Sequence, residues 1–215
     1  NGTKPAMLKD RINYEVMGAN EWRSAPSIDK MHNGFLTLYL TDKKSGNFYT
    51  ASSKKPTKKN YLSQEVDFTD RESSNNDYYP EPIIRKGVDT SNGFLFISDP
   101  LTDRTIINGS FLGQIKASIN KKDMDIGVTL YEVMPNGEYF HLSYFIGRAS
   151  YATDITKRKL LSPNVIETIP FSNTHLVSKQ LSKGSRLLVS ININKNPFFL
   201  FFYGTSKEVS TETIN

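Results

Sequence analysis

The stretch Asp123-Met124-Asp125-Ile126-Gly127-Val128-Thr129-Leu130-Tyr131-Glu132-Val133-Met134-Pro135-Asn136-Gly137 decides the fold class. Ile126, Val128 and Leu130 alternate with Gly127, Thr129 and Tyr131, a period of two that sends successive side chains to opposite faces of a strand. Met134 to Glu138 then reads as a hairpin turn, because Asn-Gly tolerates the positive φ that tight turns need. The same period recurs on both sides of this stretch. Leu187, Val189, Ile191 and Ile193 alternate with Leu188, Ser190, Asn192 and Asn194, and Phe111, Ile115, Ala117 and Ile119 make one face of another long strand. The short runs Phe35–Leu40 and Phe94–Ile97, bounded by Gly and Asn, mark two more strands. Lys44-Ser45-Gly46-Asn47 marks a second turn.

Helical signals are thin. Ser178–Leu181 and Ile155–Leu161 could each make a turn or two, and no stretch keeps an apolar face at i, i+3, i+4, i+7 over three turns. Strands follow strands with no helix to serve as a crossover. The expected architecture is therefore all-β, an antiparallel two-layer β-sandwich of jelly-roll type, as a single domain over residues 1–215. Residues 62–93 stand apart. They carry Glu65, Asp67, Asp70, Glu72, Asp77, Glu81 and Asp89 among Tyr78, Tyr79, Pro80 and Pro82. A loop of that length in a compact domain is functional or disordered, and the paired tyrosines and prolines favour one that is docked.

Composition narrows the chemistry. The chain has 27 basic and 22 acidic side chains, net +5, and no cysteine. That excludes a disulfide framework, cysteine-ligated zinc, an iron–sulfur cluster and a thiol nucleophile. The basic excess is uneven, since residues 61–120 hold five basic against nine acidic side chains. Lys54, Lys55, Lys58 and Lys59 form the densest cluster, in a Ser/Pro/Thr/Lys stretch that reads as a solvated loop. A nucleic-acid partner would need a sustained basic face with interleaved aromatics, so none is expected. The longest apolar run, Pro197–Tyr203, is far short of the ~20 residues a membrane span takes.

Catalytic patterns are missing. There is no Gly-x-Ser-x-Gly elbow, and Gly204-Thr205-Ser206 has Glu208 where the second glycine would stand. His32, His141 and His175 have no second histidine at ligand spacing, and no phosphate or dinucleotide glycine loop occurs. Lys122-Asp123-Met124-Asp125 supplies too few oxygens for calcium and reads as a turn in which Asp125 accepts backbone amides. No catalytic residue, metal site or cofactor is expected in this chain.

Six motifs now stand in order: Tyr14-Glu15-Val16-Met17-Gly18-Ala19-Asn20-Glu21-Trp22-Arg23, Phe96-Ile97-Ser98-Asp99-Pro100-Leu101, Ile107-Asn108-Gly109, the stretch from Asp123 to Gly137, Gly147-Arg148-Ala149-Ser150-Tyr151, and Lys183-Gly184-Ser185-Arg186-Leu187. Together they resemble the C-terminal domain of the X-Pro dipeptidyl-peptidase and cocaine esterase family of serine hydrolases, which includes the α-amino-acid ester hydrolases. The resemblance covers essentially the whole chain. It implies a galactose-binding-like jelly roll that follows an α/β-hydrolase domain carrying the catalytic triad. That N-terminal catalytic domain is the implied partner, and a small peptide or ester is the substrate reached through it. The start at Asn1-Gly2-Thr3, without methionine, is then read as a cut within a longer chain, with residues 1–34 leaving the catalytic domain. The chain alone is expected to be inactive as a hydrolase.

The resemblance also implies roles for single residues. Trp22 anchors either the missing domain or this domain's own core. Arg23, Arg148 and Arg186 are structural, pairing with Asp99, Asp123 or Asp125. Gly147 and Gly184 sit at strand entrances. The region Phe68–Ile84 reaches the rim of the active-site pocket, with Tyr78 and Tyr79 as walls and Asp77 or Glu81 meeting a substrate ammonium. Two other functions fit the same fold, a carbohydrate-binding module with tyrosines displayed in a groove and a purely structural sandwich. A secreted or periplasmic location is preferred to the cytoplasm.

Overall fold

A computed structural model of the chain describes residues 5–6, 8–68, 78, 81–91, 93–172 and 175–196. The alternating stretch forms β9 (Asp125–Val133), and the turn after it leads into β10 (Tyr139–Arg148). The turn closes through Gly137 N to Met134 O at 2.9 Å and Met134 N to Glu138 O at 2.8 Å. Gly137 alone in it takes a positive φ, 86°, the conformation that glycine adopts without steric cost. β13 (Arg186–Ile193) pairs with β9 on one side and with β6 (Phe94–Ser98) on the other. Adding β3 (Tyr39–Ser45), β4 (Phe48–Ser52) and β5 (Ile84–Arg85) gives a seven-stranded sheet of order β3-β4-β6-β13-β9-β10-β5.

The opposing layer is made of three two-stranded pieces: β1 (Ile12–Val16) with β2 (Glu21–Ala25), β7 (Thr105–Gly109) with β12 (Val177–Leu181), and β8 (Leu112–Ala117) with β11 (Glu167–Ser172). The core lies between the layers. Ile126 and Val128 meet Ile115, Ala117, Ile169 and Phe171 in one cluster, and Leu130, Leu142 and Leu187 meet Ile107, Val177 and Leu181 in the next. This is a β-sandwich of jelly-roll type. Each fully buried leucine, such as Leu181, contributes about 2–3 kcal/mol by leaving water.

The outer face of the large sheet is apolar as well. Leu95, Ile97, Tyr131 and Leu188 cluster there, with Val88 from the long connection packed on them. That connection has a topological reason. β4 and β6 run parallel, through Tyr49↔Phe96, Thr50↔Ile97 and Ala51↔Ser98, against the expectation of antiparallel pairing throughout. A parallel pair requires a crossover of a dozen residues or more, and residues 53–93 supply it, with no helix among those of them that are described. On the way they cross to the far edge, where β5 pairs with β10.

Three local expectations are corrected. Ser178–Leu181 is strand β12, and residues 155–161 form turns and irregular chain. Helical geometry among the described residues is confined to single 3₁₀ turns at Ile28–Lys30 and Ala149–Tyr151. The run Phe35–Leu40 becomes strand only from Tyr39. Phe35 is 77% exposed and Leu36 is exposed too, while Leu38 joins the core. Gly147 lies inside β10, where the Phe145 ring occupies the space a Cβ would need, whereas Gly184 does sit in the turn before β13 with φ 85°.

Candidate functional site

The hairpin β1–β2 rests on the sandwich through its turn. Met17 N donates to Ser178 O at 3.1 Å and Gln180 N to Met17 O at 2.8 Å, so the turn adds a parallel bridge to β12. Gly18 permits this approach. Its φ is +79°, and a Cβ there would stand 3.1 Å from the Gln180 carbonyl oxygen. One rung beyond the turn, Trp22 pairs with Glu15 and is 69% exposed. Its indole is therefore no part of this domain's core, which removes one of the two roles expected for it. Arg23 pairs with Glu21 on the same exposed strand, not with Asp99, Asp123 or Asp125.

A depression of about 430 Å³ opens beside β10, lined by Tyr78, Glu81, Ser143, Tyr144 and His175, among others. Two residues expected at a pocket rim, Tyr78 and Glu81, thus meet at one hollow, while Asp77 and Tyr79 lie outside the described residues. The two have different surroundings. Glu81 is exposed at the lip. Tyr78 is only 1% exposed, with its ring 5.5 Å from Tyr144 and its hydroxyl donating to Asn194 Oδ1 at 3.2 Å. It is a deep wall and not a displayed ring. Tyr144 stacks on His175 at 4.7 Å, and Ser143 Oγ donates to the His175 carbonyl at 3.2 Å. The same β12 that carries the Met17 bridge begins two residues after His175, so the hairpin and the hollow are tied to one strand.

Gly127 makes room for Tyr78. A Cβ at that position would collide with the Tyr78 hydroxyl and with Asn192 Oδ1. Gly127→Ala is expected to lower stability by about 1–3 kcal/mol through overpacking, with the near-ultraviolet circular dichroism of the tyrosines altered. Unchanged urea midpoint and spectrum would show that Tyr78 does not occupy that space.

The arginines and carboxylates of the motifs make contacts within the domain. Arg148 forks onto Asp125, Nε to Oδ1 at 2.8 Å and Nη2 to Oδ2 at 3.2 Å, closing the β9–β10 end. Arg186 Nε donates to the Ser98 carbonyl at 2.6 Å. Asp123 is the carboxylate that accepts the backbone amides of Met124 and Ser150, each at 3.0 Å. Its Oδ2 also takes the Ser150 hydroxyl at 2.6 Å and Arg158 Nη2 at 3.1 Å. One further pair went unnoticed in the sequence. Glu132 Oε2 meets Lys179 Nζ at 2.8 Å between the layers, and its Oε1 accepts the Ser185 hydroxyl at 2.6 Å. The carboxyls of Asp29 and Asp154 are held below the ordinary carboxylate range, chiefly by the side chains of Ser27 and Thr156. Both are exposed turn residues, and neither lines the hollow. Among the described residues no group of three or more His, Asp or Glu could hold a metal ion, and no helix is long and apolar enough to cross a membrane.

The model of the X-Pro dipeptidyl-peptidase C-terminal non-catalytic domain matches residues 6–214. The chain belongs to this family. No curated protein matches it by sequence. Solved structures similar to this X-Pro dipeptidyl-peptidase C-terminal domain include an aminopeptidase from a marine sediment Thaumarchaeota archaeon, with TM-score 0.70, 17% identity and 94% of this chain covered. An α-amino acid ester hydrolase gives 0.61, 20% and 91%. A CocE/NonD family hydrolase from Staphylococcus aureus gives 0.56, 14% and 91%. The match takes in 37%, 35% and 36% of those three chains, so the domain spans about a third of their length. At these identities the likeness is one of fold. As a member of this family the domain is non-catalytic, and its sandwich corresponds to the C-terminal unit of larger hydrolases.

Proposed function

We propose that the domain packs on an α/β-hydrolase domain of the same polypeptide, of dipeptidyl-peptidase or acyl esterase type, and helps to shape its substrate pocket. The observation that carries this reading is Trp22, a large ring left uncovered on a hairpin that is itself bonded to β12. Buried tryptophans are among the residues that dominate interfaces. Met17, Ile28, Phe35 and Leu36 add exposed apolar surface within the same first 36 residues. The hollow of Tyr78 and Glu81 lies beside β10 and includes His175, two residues before the strand that anchors the hairpin, which suits a place at the rim of a neighbouring active site. Glu81, exposed at the lip, is the described carboxylate that would meet a substrate ammonium. The burial of Tyr78 weighs against a carbohydrate-binding module using that ring in an open groove.

Trp22→Ala in the full-length enzyme tests the reading. The expected result is a loss of about 2 kcal/mol of interdomain coupling. Calorimetry should show the joint melting transition separating into two, with kcat/KM reduced for an Xaa-Pro p-nitroanilide or a p-nitrophenyl ester. A single unshifted transition with unchanged kinetics would refute docking through the hairpin.

A further inference from the structure

The β3 edge of the large sheet carries a basic surface that the docking role leaves unused. Between Asp42 and Glu65 the sequence has six lysines, Lys43, Lys44, Lys54, Lys55, Lys58 and Lys59, and no acidic residue or arginine. The structure brings all six to one edge. Lys43 and Lys44 are exposed on β3, and residues 53–60 form an exposed loop that leaves β4 at Ser52 and returns to β3. The return is fixed by Asn60 Nδ2, which donates to Asp42 Oδ2 at 2.7 Å. Ser63 and Gln64 continue along the same edge, where they share a hollow of about 270 Å³ with Lys44 and Tyr49. Among the described residues none of the six lysines is paired with a carboxylate, and the one acid beside them, Asp42, is engaged in closing the loop.

Lysines on an edge strand have an ordinary use, which is to stop another strand from pairing there. Lys43 and Lys44 are placed for that. The four loop lysines are not on the strand, so edge protection does not account for them. Tyr61 stands two residues after Lys59 and is 90% exposed. An uncovered phenol beside a lysine cluster is the combination suited to the headgroup level of a bilayer, with the ring in the interface and the ammonium groups in the field of anionic lipids.

We propose that this edge, formed by Lys43, Lys44, Lys54, Lys55, Lys58, Lys59 and Tyr61, binds an anionic lipid surface peripherally. The chemistry favours a lipid surface over a nucleic acid. Lysines act as strongly hydrated point charges suited to a diffuse field, and they lack the rigid fork with which arginine grips single phosphates and bases. The patch is an edge strand and an exposed loop with one uncovered ring, Tyr61, without the row of aromatics on which single-stranded bases stack. This binding is independent of the hairpin and of the hollow beside β10.

The test is co-sedimentation of the 215-residue chain with vesicles of phosphatidylcholine alone or mixed with phosphatidylglycerol at roughly three to one, at about 0.1 M and 0.5 M salt. The expected result is binding to the mixed vesicles only, lost at the higher salt. Replacing Lys54, Lys55, Lys58 and Lys59 together with Gln should weaken it by about a hundredfold or more. Tyr61→Ala should weaken vesicle binding while leaving any residual retention on duplex DNA unchanged. An unaltered thermal melt of each variant shows that the fold is intact, as expected for changes in an exposed loop. No binding to the mixed vesicles at low salt, equal binding by the four-lysine variant, or tighter binding to a DNA duplex than to the vesicles would each overturn the proposal.

Discussion

Asp123→Ala is expected to lower the melting temperature of the domain by about 10 °C, corresponding to roughly 3–5 kcal/mol for a chain of this size. The carboxylate is wholly buried where the chain enters β9, and it holds four donors: two backbone amides, the Ser150 hydroxyl and Arg158. Removing it leaves three of those groups without their acceptor in the interior, and unmet buried donors cost about 1–3 kcal/mol each before relaxation. Asp123→Asn keeps the shape and one acceptor but loses the charge, and should cost about half as much. Ser150→Ala, which removes a single hydroxyl, should cost about 1 kcal/mol. Thermal unfolding followed by circular dichroism gives the order directly. An Asp123→Ala protein melting within about 2 °C of the parent would show that this cluster does not fasten the β10 exit to the β9 entrance.

Lys179→Met should be comparably severe, at about 3–4 kcal/mol, because it leaves the Glu132 carboxylate charged between the layers with only the Ser185 hydroxyl in place. The loss is expected to be largely recovered when Glu132→Gln is added. The glutamine amide can still accept from Ser185, and no uncompensated charge remains. Urea titration of the parent, both single variants and the double variant closes the cycle. A double variant as unstable as the sum of the singles would show that the two residues act separately. Recovery would show that the pair matters for the cost of breaking it more than for net stability.

This pair also explains where the sequence was hard to read. Glu132 continues the inward series Ile126, Val128, Leu130, and Lys179 sits between the inward-facing Val177 and Leu181. Each charge therefore interrupts the apolar alternation of its own strand. In β12 this leaves two apolar residues four apart, a spacing that a helical turn shares, so the sequence there reads as a turn of helix although it is a strand. A lone acid and a lone base at inward positions of two strands were the signal that could have revealed both. The alternations were legible over the rungs whose inward positions are all apolar, Ile126 to Leu130 in β9 and Leu187 to Ile193 in β13. The start of β3 was not, because whether Phe35 and Leu36 join a strand depends on a hydrogen-bonding neighbour and not on their own side chains. At the candidate site, Glu81 was singled out by the resemblance within an acidic loop, and it stands exposed at the lip of the hollow beside β10. The burial of Tyr78 depends on a vacancy at Gly127, far away in sequence, and no local pattern encodes that.

The position of β13 has a consequence for synthesis of the protein on the ribosome. This last described strand is wedged between β6 and β9, so the two halves of the large sheet share no direct pairing without it. Until residue 193 has left the exit tunnel, β6 and β9 both present unpaired edges, and those edges can join other nascent chains. The hairpin β9–β10 can form early from neighbouring residues, but closure of the sandwich waits for contacts made across about ninety residues. A polypeptide lacking that strand would keep most of the apolar pattern of the domain and lack the element that joins its two halves, which makes the emergence of β13 the event that commits this sandwich to its fold.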